Sequence, residues 1–245
     1  MRNNTSTSRN VMIDFHPNLL YTITQNVMKE NNNAIISALF AQAQTYLQNT
    51  NAKPEILKRM GMHGFSPKRM QEGDTLLNNA SFLHTQKTQK YGEKSSVAAQ
   101  LKTNEQQARE TFMDHVATVK FAFRKEPLIL EQFNIKRVSK KINVWPMQAR
   151  YFYAQANEHV TQLSQHGLTA EELAQGHAMV EAVTHARNQR ILTKGEAEEA
   201  TRLRDQSVKV LKVWMSEFRT IAKIALKDNP QLLESLGITV KTQKV

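Results

Sequence analysis

Lys223–Ile238 reads KIALKDNPQLLESLGI, and Lys120–Ile135 reads KFAFRKEPLILEQFNI. Laid over one another without a gap, Lys, Ala, Pro, Leu, Glu and Ile fall in register, 103 residues apart. The match extends backwards at the same offset. Gly92-Glu93 falls on Gly195-Glu196, Gln86 on Gln189 and Gly73 on Gly176, while HGFSPKRM (His63–Met70) falls on HGLTAEEL (His166–Leu173). Identity is low, but the punctuation matches, and Gly and Pro mark places where backbone geometry must be repeated.

Each copy reads as helix. Ser66 and Thr169 are N-cap candidates preceded by an apolar residue, Pro67 suits a first helical turn, and Thr169 with Glu172 forms a capping box. A first helix is expected over 67–90 and 170–193. Gly92 and Gly195 then fit a turn, and a second helix is expected over 94–125 and 197–228. Val208, Leu211, Met215, Phe218, Ala222 and Ala225 make its apolar seam at steps of three and four, with Ala108, Phe112, Val119 and Ala122 as counterparts. Pro127 and Pro230 stop that helix and open a short one whose leucines plug the end, closed by Asn134 or Gly237. Upstream, FAQAQTYL (Phe40–Leu47) resembles YAQANEHV (Tyr153–Val160) at an offset of 113, which makes TNAKPEILKR the extra length in the first copy.

The fold expected is all-α, with internally duplicated helical hairpins closing as a pseudo-two-fold four-helix bundle, plus N-terminal and connector helices. Residues 1–16 are expected to be disordered or extended. Residues 17–135 form the first repeat, 136–146 a basic connector and 147–245 the second repeat, packed with the first as one compact domain.

Composition narrows the functions. The chain has no cysteine, which removes disulfides, thiolate metal sites and a cysteine nucleophile. The start lacks the apolar core of a signal peptide and no run reaches membrane-spanning length, so a cytoplasmic protein with no membrane association is expected. The net charge is +11, and it is uneven. Residues 1–150 hold 21 Lys and Arg against 11 Asp and Glu, whereas 151–245 hold 12 against 11. KRVSKK (Lys136–Lys141) is the densest basic cluster. Such asymmetry suits an acidic partner, although a basic surface that aids solubility accounts for it as well.

Candidate sites follow from the residues at which the copies differ. His177, Glu181 and His185 stand at i, i+4 and i+8 and could face a metal, but their counterparts are Asp74, Asn78 and Phe82, so no symmetric di-metal centre is expected. A solvated helix face with a Glu–His contact is the preferred reading. Lys136, Arg137, Lys140, Lys141 and Arg150 lie beside Trp145, Tyr151, Phe152 and Tyr153, a mixture used to bind single-stranded nucleic acid. The same mixture arises when a connector pins itself to a bundle by its rings, and pinning is preferred. His115 matches Phe218 and is read as a hydrogen-bonded core histidine, while His63 and His166 serve their turns. Gly73 and Gly176 cost about 1 kcal/mol each within a helix and imply a close approach by a neighbour. Trp214 and Met215 read as packing.

No phosphate-cradling loop, dinucleotide fingerprint, HExxH or nucleophile elbow is present. The function expected is therefore a non-enzymatic structural or protein-interaction module, with no catalytic residue or cofactor and with a protein partner or self-association. The first alternative is a nucleic-acid-associated protein using the basic half and connector. The second is a metal- or small-ligand-binding bundle.

Overall fold

The computed structural model describes residues 17–239, with side chains from residue 33 onward. The expectation for residues 1–16 lies outside the described residues. Eight helices follow one another among the described residues, with no strand: α1 (Pro17–Ala52), α2 (Pro54–Gly61), α3 (Pro67–Ala122), α4 (Pro127–Gln132), α5 (Trp145–Glu158), α6 (Val160–Ser164), α7 (Ala170–Ala225) and α8 (Pro230–Ser235). All six prolines of the chain stand in the first turn of a helix, where the missing N–H costs no intrahelical bond. The TNAKPEILKR stretch forms the end of α1 and most of α2, and buries Ile56. No helix among the described residues is long and apolar enough to cross a membrane.

The expected turns at Gly92 and Gly195 are not there. α3 and α7 are each one continuous helix of 56 residues, so neither copy is a hairpin. Neither glycine takes a positive φ, and no proline lies between Pro67 and Pro127 or between Pro146 and Pro230. Carrying one exposed glycine costs a helix about 1 kcal/mol, whereas ending it there would orphan about four carbonyls and four N–H groups. Continuity is the cheaper outcome. The expected stops do hold at their sites. Glu126 N–H donates to Phe123 O and Asn229 N–H to Leu226 O, both at 2.9 Å, just before the proline in each case.

The turn that opens each long helix also recurs in detail. His63 N–H donates to Met60 O at 3.0 Å and Phe65 N–H to the same oxygen at 3.1 Å; His166 and Leu168 donate to Leu163 O at 2.9 and 3.1 Å. Between them Gly64 and Gly167 adopt φ of 89° and 81°, a left-handed conformation that favours glycine. The capping box forms, with Thr169 N–H donating to Glu172 Oε2 at 2.9 Å and Glu172 N–H to Thr169 Oγ1 at 3.3 Å.

The chain divides into two compact units, one holding residues up to Ser81 and from Gln206 onward, the other Phe82–Asp205. In the first, Val208, Leu211, Met215, Phe218 and Ala222 of α7 are buried against Tyr46 of α1, Met60 of α2, and Met70 and Leu77 of α3. Tyr46 stacks on Phe218 at 4.6 Å between centroids, and Phe218 on Trp214 at 5.4 Å. α8 closes this core with Leu233, followed by Leu236 and Ile238. Asn49 fastens it by donating to Ser235 O at 2.5 Å.

In the second unit, Ala108, Phe112, Val116 and Val119 of α3 are buried against Trp145, Phe152 and Tyr153 of α5 and Leu173, Val180 and Val183 of α7. Here the closure is shared between α4 and the residues that follow it. No residue of α4 is fully buried and Leu128 is largely exposed, but Ile129 and Leu130 pack partly buried against this core; Phe133 and Ile135, just past the helix, are buried in it as their counterparts Leu236 and Ile238 are in the first unit. Phe133 reaches Phe123 and Phe152, at 5.8 and 5.6 Å, an aromatic ring at the position matched by buried Leu236.

Candidate functional site

His177, Glu181 and His185 share a face of α7, as their spacing requires. His177 Nε2 lies 3.7 Å from Glu181 Oε1, the intrahelical contact expected of a solvated face. The stronger partner comes from α5: Arg150 Nε and Nη2 donate to the two Glu181 oxygens at 2.5 and 2.8 Å. This bidentate hydrogen bonding is the main cause holding the Glu181 carboxyl below its ordinary range. It also occupies the oxygens a metal would need and places a guanidinium beside them. His185 is exposed. Among the described residues no group of three or more His, Asp or Glu side chains is arranged to hold a metal.

The connector rings divide. Trp145, Phe152 and Tyr153 are fully buried, and of the four only Tyr151 is exposed. Trp145 stacks on Phe112 at 6.2 Å and Phe152 meets Phe112 edge-on at 5.2 Å. These rings pin the connector to the bundle and are not open to bases. Tyr153 does more than pin. Its ring occupies the space a Cβ at Gly176 would need, and its hydroxyl shares a 3.1 Å hydrogen bond with His115 Nδ1. Burial pushes the Tyr153 phenol up and the His115 imidazole down, because both charged forms are poorly solvated there. The hydrogen-bonded histidine, half-buried at the edge of the core, and the close approach at glycine are thus one arrangement.

The basic residues stay outside that core. Lys136 pairs with Glu131 at 2.9 Å, while Arg137, Lys140 and Lys141 line a cleft of about 570 Å³ together with Ser139, Val144 and Gln148. The loop is tied down by its backbone. Ser139 N–H donates to Gln148 Oε1 at 2.8 Å, Gln148 Nε2 donates to Arg137 O at 3.2 Å, and Arg109 Nη2 donates to Ser139 O at 3.0 Å. Arg150, grouped with these cations by sequence, is instead committed to Glu181.

Clefts occur elsewhere as well. In the first unit, a cleft of about 400 Å³ is lined by His63, Phe65, Arg69, Glu217 and Thr220, with Arg69 paired to both Glu72 and Glu217. In the second unit, α3 and α7 flank a cleft of about 460 Å³ lined by Gln86, Gln89, Lys90, Glu196, Glu199 and Leu203. Lys90 lies 2.9 Å from both Glu93 and Glu196, and Tyr91 Oη accepts from Thr201 at 3.3 Å. Between residues 82 and 100 and between 187 and 205, Ala197 is the one buried apolar side chain. Phe82, Ile191 and Leu192 are exposed by 60, 60 and 58 %, each standing one turn before a residue that lines this cleft.

No family model, curated protein or solved structure matches the chain. Sequence reading found the connector cations but missed Gln148, whose role depends on a loop returning to its own following helix. It also missed Phe82, Ile191 and Leu192, which lie off the apolar seam. An apolar residue at an off-seam position was the available signal.

Proposed function

We propose that the protein is a non-enzymatic helical module that works by protein association, with a second copy of itself as the partner. The observation that carries this reading is the α3–α7 stretch of the second unit. Over about nineteen residues of each helix it buries one apolar side chain and leaves Phe82, Ile191, Leu192 and Leu203 exposed around a cleft. Paired helices ordinarily draw their stability from an apolar seam, and this seam is built instead from Tyr91, Thr201 and charged side chains. A second copy placed on this face would bury the four apolar residues and make a four-helix arrangement. Its charges, already paired as Lys90–Glu196 and Arg202–Glu199, would not oppose a like face. Light scattering on the full chain checks this: a dimer that Phe82→Glu with Leu203→Glu converts to monomer is expected. A monomer at all concentrations up to about 100 µM would overturn it.

We also propose that the two halves arose by duplication of one unit comprising a tight turn, a long helix, a proline stop and a closing segment. The support is the recurrence, 103 residues apart, of the same backbone bonds around Gly64 and Gly167 and before Pro127 and Pro230. The nucleic-acid alternative retains its cations at Arg137, Lys140 and Lys141, but three of its four stacking rings are core residues.

A further inference from the structure

The clefts described above differ in how their cations are satisfied. Arg69 in the first unit meets Glu72 and Glu217, and Lys90 between α3 and α7 meets Glu93 and Glu196. The connector cleft has no carboxylate in its lining, and Arg137, Lys140 and Lys141 have no ion-pair partner among the described residues. Three positive charges therefore line one concavity with nothing negative between them.

From this we propose that the connector cleft binds a compact phosphorylated ligand, a phosphate monoester or diphosphate of about nucleotide size. This goes beyond the association reading and does not rest on it. Guanidinium and ammonium groups together suit a phosphate, the first by paired donors in a plane and the second as a mobile point charge. A cleft of about 570 Å³ falls within the range of small-molecule sites. Val138 and Val144 supply an apolar wall for the organic part of the ligand.

The loop is held in place before any ligand arrives. Gln148 spans it, accepting from Ser139 N–H and donating to Arg137 O, and Lys141 N–H donates to Ser139 Oγ at 3.1 Å. Arg109 fixes the same loop from α3 through Ser139 O. None of these ties uses the Arg137, Lys140 or Lys141 side chains. Those side chains are thus left for the ligand, and their removal leaves the loop's framework intact. A nucleic-acid strand is the poorer fit, because Trp145, Phe152 and Tyr153 cannot stack on bases and the cations sit on one short loop.

Isothermal titration of the full chain at about 50 mM salt tests the site with pyrophosphate, adenosine 5′-monophosphate, adenosine and a single-stranded oligonucleotide. Binding of pyrophosphate and the monophosphate, with no heat from adenosine, is expected. Arg137→Ala with Lys140→Ala and Lys141→Ala should weaken that binding at least about tenfold. Lys102→Ala with Lys120→Ala and Lys125→Ala removes the same charge from elsewhere in the unit and should change it less than about twofold. Absence of phosphate binding at millimolar concentration would overturn the proposal, as would equal weakening by both triple variants. Binding confined to the oligonucleotide, falling steeply with salt, would assign the loop to nucleic acid instead.

Discussion

Gly73 and Gly176 occupy matched places in α3 and α7, yet different side chains fill their notches. At Gly73 the space is taken by the Trp214 indole from α7, whose Nε1–H donates to Arg69 O at 3.1 Å. At Gly176 it is taken by Tyr153 from α5, whose hydroxyl meets His115. Thr111 stands at the position matched to Trp214, and Phe218 at the position matched to His115. The first unit thus fills its notch from a long helix and completes it with a ring stack of Tyr46, Phe218 and Trp214, whose Tyr46 hydroxyl accepts from Arg219. The second fills it from the connector helix and completes it with a polar pair. A repeated backbone feature preserves the opportunity for close packing, while the occupant is free to change.

The largest expected effect is on the occupant of the first notch. Trp214→Ala should cost about 3–5 kcal/mol, measured by denaturant unfolding, because a fully buried indole is lost and a cavity left. Next come Gly73→Ala and Gly176→Ala. Each places a Cβ inside a ring already in position and should destabilise by about 1–3 kcal/mol. In the Trp214→Ala background the Gly73→Ala cost should vanish, since the clash is gone and helix propensity improves. A cost that persists there would break the comparison, because Gly73 would then matter for some reason other than the indole.

The polar pair gives a smaller and pH-dependent effect. Burial lowers the His115 pKa on folding and is also the first cause of the lowering at His84. The unfolded chain then binds more protons near the ordinary imidazole pKa of about 6.5, so stability is full above it and declines as pH falls towards the folded-state values. His115→Phe, which gives the second unit the residue of the first, should flatten that decline without removing the part due to His84. Urea titrations at several pH values between about 5 and 8 measure it. A slope identical to that of the unchanged protein would mean that His115 is not held neutral by its site. Tyr153→Phe, which keeps the ring over Gly176 and removes the hydroxyl, should cost about 1 kcal/mol.

The smallest effect tests continuity of the long helices. Nothing lies within 4 Å of a Cβ built on Gly92 or Gly195. Alanine at either should stabilise by up to about 1 kcal/mol in a continuous helix. A thermal midpoint that falls would instead place a left-handed turn there.

Much of the local structure was legible because it depends on neighbours in sequence. Proline stops, the Thr169–Glu172 box, the glycine turns and the apolar seam are set by which backbone bonds a short segment can make. Gly92 misleads because glycine permits a turn without requiring one, and only the absence of a positive φ decides between them. At the candidate sites, the cations of the connector were plain in the sequence. Pinning of the connector by its rings is the reading the sequence prefers, whereas the separation of the cations from Arg150 and the exposure of Tyr151 alone among the four rings were not legible.

The all-helical class, the openings of the helices and the recurrence at 103 residues can therefore be read from the residues alone. This is so because capping, proline geometry and helical period act within a turn or two of chain. The long-range packing was needed to show that Trp214 fills one notch and Tyr153 the other, that Phe133 shares the plug with Ile129 and Leu130, and that Arg137, Lys140 and Lys141 line one cleft without an ion-pair partner among the described residues. Those outcomes depend on residues tens to more than a hundred positions apart meeting in space, and on shape and charge that no local pattern records.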